Sequence, residues 1–189
     1  MNFYRFFGDI LFLDNYLMDL NKLSLNLDQE TLIKMSDTII TSANSNGNVV
    51  IVGNGGSAAI ASHVAVDFLK AVGIRAITFN ESSLITCYAN DYGYQNWVKE
   101  ALKSHAKKDD TIILISSSGE SLNIINAAKF AKDNKIKLIT FSGFNKNNSL
   151  SKLGDLNIWV NSSNYNYVEI THNNFLLILV DLVKFNLNK

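Results

Sequence analysis

Two short segments carry residue types able to grip a phosphate. The first, Val49-Val-Ile-Val-Gly53-Asn54-Gly55-Gly56-Ser57-Ala58, passes from an apolar run through glycines into small residues. That is the pattern of a strand, a tight turn and a helix start. Glycine tolerates positive φ and lets a ligand come close to the backbone, and the unpaired N–H groups opening a helix favour an anion. The second, Thr111-Ile-Ile-Leu-Ile-Ser116-Ser117-Ser118-Gly119-Glu120-Ser121, repeats the scheme with four serines. Their hydroxyls and the exposed amides of a helix N-terminus can surround a phosphate without any lysine. Taken alone, the first loop equally fits a turn that binds nothing. It also fits the dinucleotide fingerprint, as Gly53-x-Gly55-x-x-Ala58 with Glu81 downstream. In the second, Ser118 or Ser121 as a simple N-cap explains one serine and leaves three. Together the two loops favour a small phosphorylated ligand enclosed between them.

The titratable residues form two helical pairs. His63 and Asp67 stand at i and i+4, and Glu169 and His172 at i and i+3, so each pair shares a helix face. Either pair can serve acid–base chemistry, and either can equally be a solvated or interface pair. His and carboxylates suit zinc, and His63, Asp67 and Glu169 form a candidate metal set that no spacing demands. His105, on a Lys-rich stretch, reads as solvent-exposed.

These residues need rigid elements beneath them. Residues 4–46 read as two helices, with Leu11, Leu13, Tyr16, Leu17 and Leu20 on one apolar face. Leu32, Ile33, Met35, Ile39 and Ile40 mark the buried side of the second, which starts near Asp28. Beyond Gly47, apolar runs at Val49–Val52, Ala76–Phe79, Thr111–Ile115, Leu138–Phe141 and Leu156–Val160 read as strands. Helices are expected over about 57–71, 93–106, 120–133 and Tyr167–Phe185, with a turn near 149–153. Strands separated by helices imply right-handed crossovers and a parallel sheet covered on both faces. The whole chain, 1–189, is expected to form one domain: N-terminal helices to residue 46, then the sheet core and final helix.

Composition narrows the class. Seventeen basic residues balance seventeen acidic ones, so charge offers no attraction to nucleic acid or membrane. The single cysteine, Cys87, excludes an internal disulfide framework and fits a reducing, cytoplasmic setting. The N-terminal apolar stretch is broken by Arg5, Asp9, Asp14 and Asp19, unlike a signal peptide, and the run Phe175–Val180 is too short to span a bilayer.

Gly53-Asn-Gly-Gly-Ser57, then Ala89-Asn-Asp-Tyr-Gly93, then Ser116-Ser-Ser-Gly-Glu-Ser121 resembles the sugar isomerase (SIS) domain, most of all its phosphoheptose isomerase branch, over residues 28–185. The resemblance implies a three-layer αβα sandwich on a five-stranded parallel sheet, flavodoxin-like, in homodimers or homotetramers with shared sites. It implies phosphate at Ser116, Ser117, Ser118 and Ser121, and the sugar held by the Asn54, Gly55, Gly56 and Ser57 loop with Asp91 beside it. It implies an enediol isomerisation of sedoheptulose 7-phosphate to D-glycero-D-manno-heptose 7-phosphate. His63 and Asp67 match the family's His and Glu, as metal ligand and catalytic carboxylate. Glu169 stands where the family has a metal-binding Gln, leaving Asp67, Glu169 and His172 as the catalytic candidates. Leu177 replaces the family's catalytic His, and Ala71 its Arg, unless Lys70 or Arg75 takes over. A non-catalytic SIS protein, sensing a sugar phosphate or binding a protein, is the alternative from another class.

Overall fold

The computed structural model describes the backbone of residues 3–188 and the side chains of residues 8–188. Its element order is α1 (Phe3–Leu25), α2 (Gln29–Asn44), β1 (Val49–Gly53), α3 (Gly56–Asp67), β2 (Ala76–Ile77), α4 (Ser82–Tyr92), α5 (Trp97–His105), β3 (Thr111–Ser116), α6 (Leu122–Asp133), β4 (Lys137–Ser142), β5 (Leu156–Trp159) and α7 (Tyr165–Leu187). The strands pair in the order β2-β1-β3-β4-β5, every pair parallel.

Alternation along the strands explains the three layers. Val50, Val52, Ile112, Leu114 and Leu138 point to one face, where Trp97, Val98, Ala101 and Leu102 of α5 and Ile124, Ala127, Ala128 and Ala131 of α6 cover them. Ile51, Ile113, Ile115, Ile139 and Phe141 point to the other, under α2, α3 and α7. Both faces are buried, so the strands read as unbroken apolar runs. The strand order reverses between β1 and β3, and ligands bind α/β sheets at such a switch point. Register pairs Gly53 with Ile115 across it, which brings the two candidate loops side by side.

Four differences from the sequence reading have physical causes. Helix α4 was not expected, because none of its residues is fully buried and its half-buried stripe, Leu84, Ile85, Tyr88 and Ala89, spans little more than one turn. Strand β2 keeps two residues instead of four, at the sheet edge. Helix α3 passes at Phe68 into a π-helical turn, Phe68–Val72, stopped by Gly73 at φ 79°. On α1, Leu11, Leu13 and Leu17 are exposed, as is Ile33 on α2. There the apolar face meets α7 through Tyr16, whose ring lies 4.5 Å from Tyr167. No helix among the described residues is long and apolar enough to cross a membrane.

Candidate active site

At the carboxyl ends of β1 and β3 a small pocket of about 100 Å³ is lined by Asn54, Ser57, Ile115, Ser116, Ser117, Ser118, Ser121, Tyr165 and Glu169. The serines line this cup with hydroxyls of a kind that could hold an anion. Ser121 is the N-cap residue of α6, yet its side chain makes no capping bond and instead accepts the Ser116 hydroxyl at 3.1 Å. The first amides of α6 therefore keep their outward-facing protons. Ser118 accepts from the Glu120 N–H at 3.2 Å, closing the turn. Ser117 is 5% exposed, and its hydroxyl has no partner. A buried hydroxyl left unpaired costs stability, and a bound phosphate oxygen would satisfy it.

The cup is braced from behind. Glu120 accepts the Ser149 N–H and hydroxyl, both at 2.8 Å, and these bonds hold its carboxyl below the usual carboxylate range. Gly143 N–H donates to Ser117 O at 2.9 Å, and Leu150 N–H to Gly119 O at 3.0 Å. Buried Asn148 knits residues 143–151 together through Gly143 O, Asn145 O and Ser151 N. Gly119, at φ +68°, lies so close to Asn148 that a Cβ would overlap its carboxamide.

On the first loop, a Cβ at Gly56 would overlap the Glu169 carboxylate. Gly56 thus lets α7 lay that carboxylate on the N-terminus of α3, where negative charge is favoured. Asn54 pairs reciprocally with Asn123, the bonds being 3.0 and 2.8 Å, and accepts the Tyr94 hydroxyl at 3.3 Å. Gly55, at φ +53°, makes the turn itself.

Other expected site residues lie elsewhere. His172 is fully buried and does not line the pocket. Its Nε2 stands 3.1 Å from Ser142 O, its ring meets Phe141 edge-on, and Nδ1 has no partner. It shares a helix with Glu169 but faces the core, so it leaves the catalytic set. His63 and Asp67 do form a pair, at 3.4 Å. Asp67, however, is eleven residues beyond Gly56, roughly 16 Å down the helix at 1.5 Å per residue, and so remote from its own chain's cup. Among the described residues no three His, Cys, Asp or Glu side chains converge, so His63, Asp67 and Glu169 do not make a zinc site within one chain. Asp91 is exposed on α4, bonded to Asn90 at 2.9 Å, and does not line the pocket. Arg75 bonds Asn46 at the amino edge of the sheet, and Lys70, on the π turn, lies at that same end, so neither takes the expected arginine's place in its own chain's cup. Leu177 packs against the core. Glu81 caps α4 through Ser83 N and Leu84 N, which takes up the carboxylate that a dinucleotide ribose would need.

Burial lowers the His172 pKa to about 4 from an ordinary 6.5. The neutral form is the native one, so stability is complete above pH 6.5 and falls as pH drops towards 4. The loss amounts to roughly 3 kcal/mol across that window. His172→Gln keeps a donor for Ser142 O and cannot titrate. Its urea-unfolding free energy is expected to decline less between pH 7 and 4.5 than that of the wild type, and equal slopes would refute the assignment.

Residues 15–143 match the family model described as "SIS domain". The chain is 35% identical over 161 residues to the phosphoheptose isomerase of Thermodesulfovibrio yellowstonii, covering 82% of this chain and 80% of the relative. It belongs to the SIS domain family, in the phosphoheptose isomerase branch. With the Helicobacter pylori phosphoheptose isomerase the SIS domain shares 31% identity over 169 residues, covering 86% of this chain and 88% of that one. Its fold matches the solved phosphoheptose isomerase of Neisseria gonorrhoeae with a TM-score of 0.86 at 20% identity, over 93% of this chain and 97% of the other. Three residues of the SIS domain's site escaped the sequence reading. Asn123 sat inside a helix with no motif around it. Tyr94 lay just past the quoted Asn-Asp-Tyr-Gly segment. Tyr165 could have been found from Asn164, whose side chain caps α7 through Asn166 N and Tyr167 N.

Proposed function

We propose that the chain is a sugar-phosphate isomerase, converting sedoheptulose 7-phosphate to D-glycero-D-manno-heptose 7-phosphate. The observation that carries this reading is one pocket holding both an anion cup and a carboxylate. Ser116, Ser117, Ser118, Ser121 and the start of α6 take the phosphate, and Asn54 and Ser57 take the sugar chain. A base removes a proton from C1, the C1–H electrons form the C1=C2 double bond of an enediol, and the C2 oxygen gains a proton. Return of a proton to C2, with loss of the C1 hydroxyl proton, leaves the aldehyde at C1. Glu169, the carboxylate that lines the pocket, is the proposed base. Product would enter heptose synthesis for surface polysaccharide, in the cytoplasm.

A pocket of about 100 Å³ is well below the usual 300–1,000 Å³ of a small-molecule site. It accommodates the phosphate end and leaves the rest of the sugar to be enclosed. The outer side of α3 and its π turn offers His63 and Asp67 beside exposed Val66 and Leu69. An exposed apolar stripe on α1 includes Leu11, Phe12, Leu13 and Leu17, and surfaces of that kind mark contacts between chains. In the proposed homo-oligomer, Asp67 of one copy serves the cup of another. Turnover followed by NMR, as aldose formed from sedoheptulose 7-phosphate, tests the activity. Mixing and co-refolding inactive Asp67→Asn with inactive Glu169→Gln tests the sharing, because hybrid sites regain both groups. Recovery of about a quarter of wild-type turnover is expected from random pairing. Absence of any recovery would place both groups in one chain's site.

A further inference from the structure

The carboxamide of Asn54 has one hydrogen-bonding valence left, and its neighbours decide which. Its oxygen is taken twice, by Asn123 Nδ2 at 2.8 Å and by the Tyr94 hydroxyl at 3.3 Å. Its nitrogen gives one proton to Asn123 Oδ1 at 3.0 Å. An amide offers two donors and two acceptor lone pairs, so what remains for the pocket is a single N–H.

We infer that Asn123 and Tyr94 are positioning residues that lock Asn54 as a donor only, aimed at an acceptor oxygen on the sugar phosphate. The inference deepens the sugar-phosphate reading above and rests on it. Asn123 is suited to the task because it is 2% exposed in the first turn of α6, the helix that ends the phosphate cup. One turn on, Asn126 donates to Gln95 O at 2.9 Å and to Asn96 Oδ1 at 3.3 Å. That ties the Gly93–Asn96 turn, which the backbone closes through Asn96 N and Gly93 O at 2.9 Å, to the same helix. One element thus fixes the serine cup, the Asn54 partner and the turn that presents Tyr94. A locked donor recognises hydroxyl, carbonyl or enediolate oxygen without the cost of ordering an amide that could turn over. It also remains in place as negative charge grows on such an oxygen during proton transfer.

The test is a double-mutant cycle on kcat/KM for sedoheptulose 7-phosphate. Asn54→Ala removes the donor, Asn123→Leu removes its reciprocal partner at similar volume, and each is expected to cost roughly tenfold, the value of one hydrogen bond near 1.4 kcal/mol. A residue acting only through Asn54 adds nothing once Asn54 is gone, so the double variant should match Asn54→Ala. Tyr94→Phe, at a position 56% exposed where folding is not at stake, should cost about threefold alone and nothing in the Asn54→Ala background. Multiplicative losses, in either cycle, overturn the inference. The same cycles run on thermal stabilisation by sedoheptulose 7-phosphate separate the two proposals. Stabilisation without turnover refutes the isomerase and leaves the locked donor readable in affinity, whereas a wild type with neither refutes both.

Discussion

Glu169→Gln is expected to lower kcat by roughly 10²–10⁴-fold, the range over which a positioned acid–base group contributes. The substitution keeps the side chain's size on Gly56 and removes its ability to take up a proton. The serine cup and the α6 terminus are untouched, so KM should stay within a few-fold. Unfolding temperature should fall only slightly, because the half-buried Glu169 makes no ion pair among the described residues and loses only its place at the α3 N-terminus, worth under about 1 kcal/mol. The resemblance puts Gln at this position in the family, so the variant restores the family's residue. If it retains more than a tenth of wild-type turnover, Glu169 is a binding group, and the proton must move through another residue.

Gly119→Ala should be strongly destabilising. Its backbone sits at φ +68°, and the added Cβ would overlap the Asn148 carboxamide, itself held on three sides. Backbone strain of about 1–2 kcal/mol and the displacement of a pinned neighbour together come to roughly 3 kcal/mol or more. For a chain of this length that lowers the unfolding temperature by about 6–12 °C. Gly73→Ala is the internal control. It shares the positive φ, at +79° in the left-handed region, and has nothing within 4 Å of the new Cβ, so only the strain is incurred. Equal losses in the two variants would show that the brace from residues 143–151 is not rigid. With Gly119→Ala, sugar-phosphate binding should weaken as well, because the strained residue lies inside the cup.

The sheet and both loops were legible because their signals are local. Apolar runs four to six residues long mark strands buried on both faces, and the glycines and serines that follow mark the turns. Helix α4 was illegible for the opposite reason. It only half-buries a short stripe, Leu84, Ile85, Tyr88 and Ala89, so its periodicity is weak, and its start was hidden by a Glu81 that also suited a nucleotide site. The two histidine-containing pairs show what spacing cannot decide. Positions i and i+3 share a face only broadly, and on α7 the core begins between Glu169 and His172. On α3 the sequence put His63 and Asp67 close behind the glycine loop, whereas helical rise carries Asp67 well away from it. Asn123 was silent because its meaning lies in a partner sixty-nine positions away.

The separation between the glycine turn and Asp67 along α3 has a consequence for how the protein behaves in dilute solution. If one copy completes another, specific activity is a function of concentration, falling as assemblies come apart even while every chain remains folded. Crowded conditions would then preserve turnover that a diluted assay loses, and an inactive copy expressed beside the normal one would poison the sites it joins.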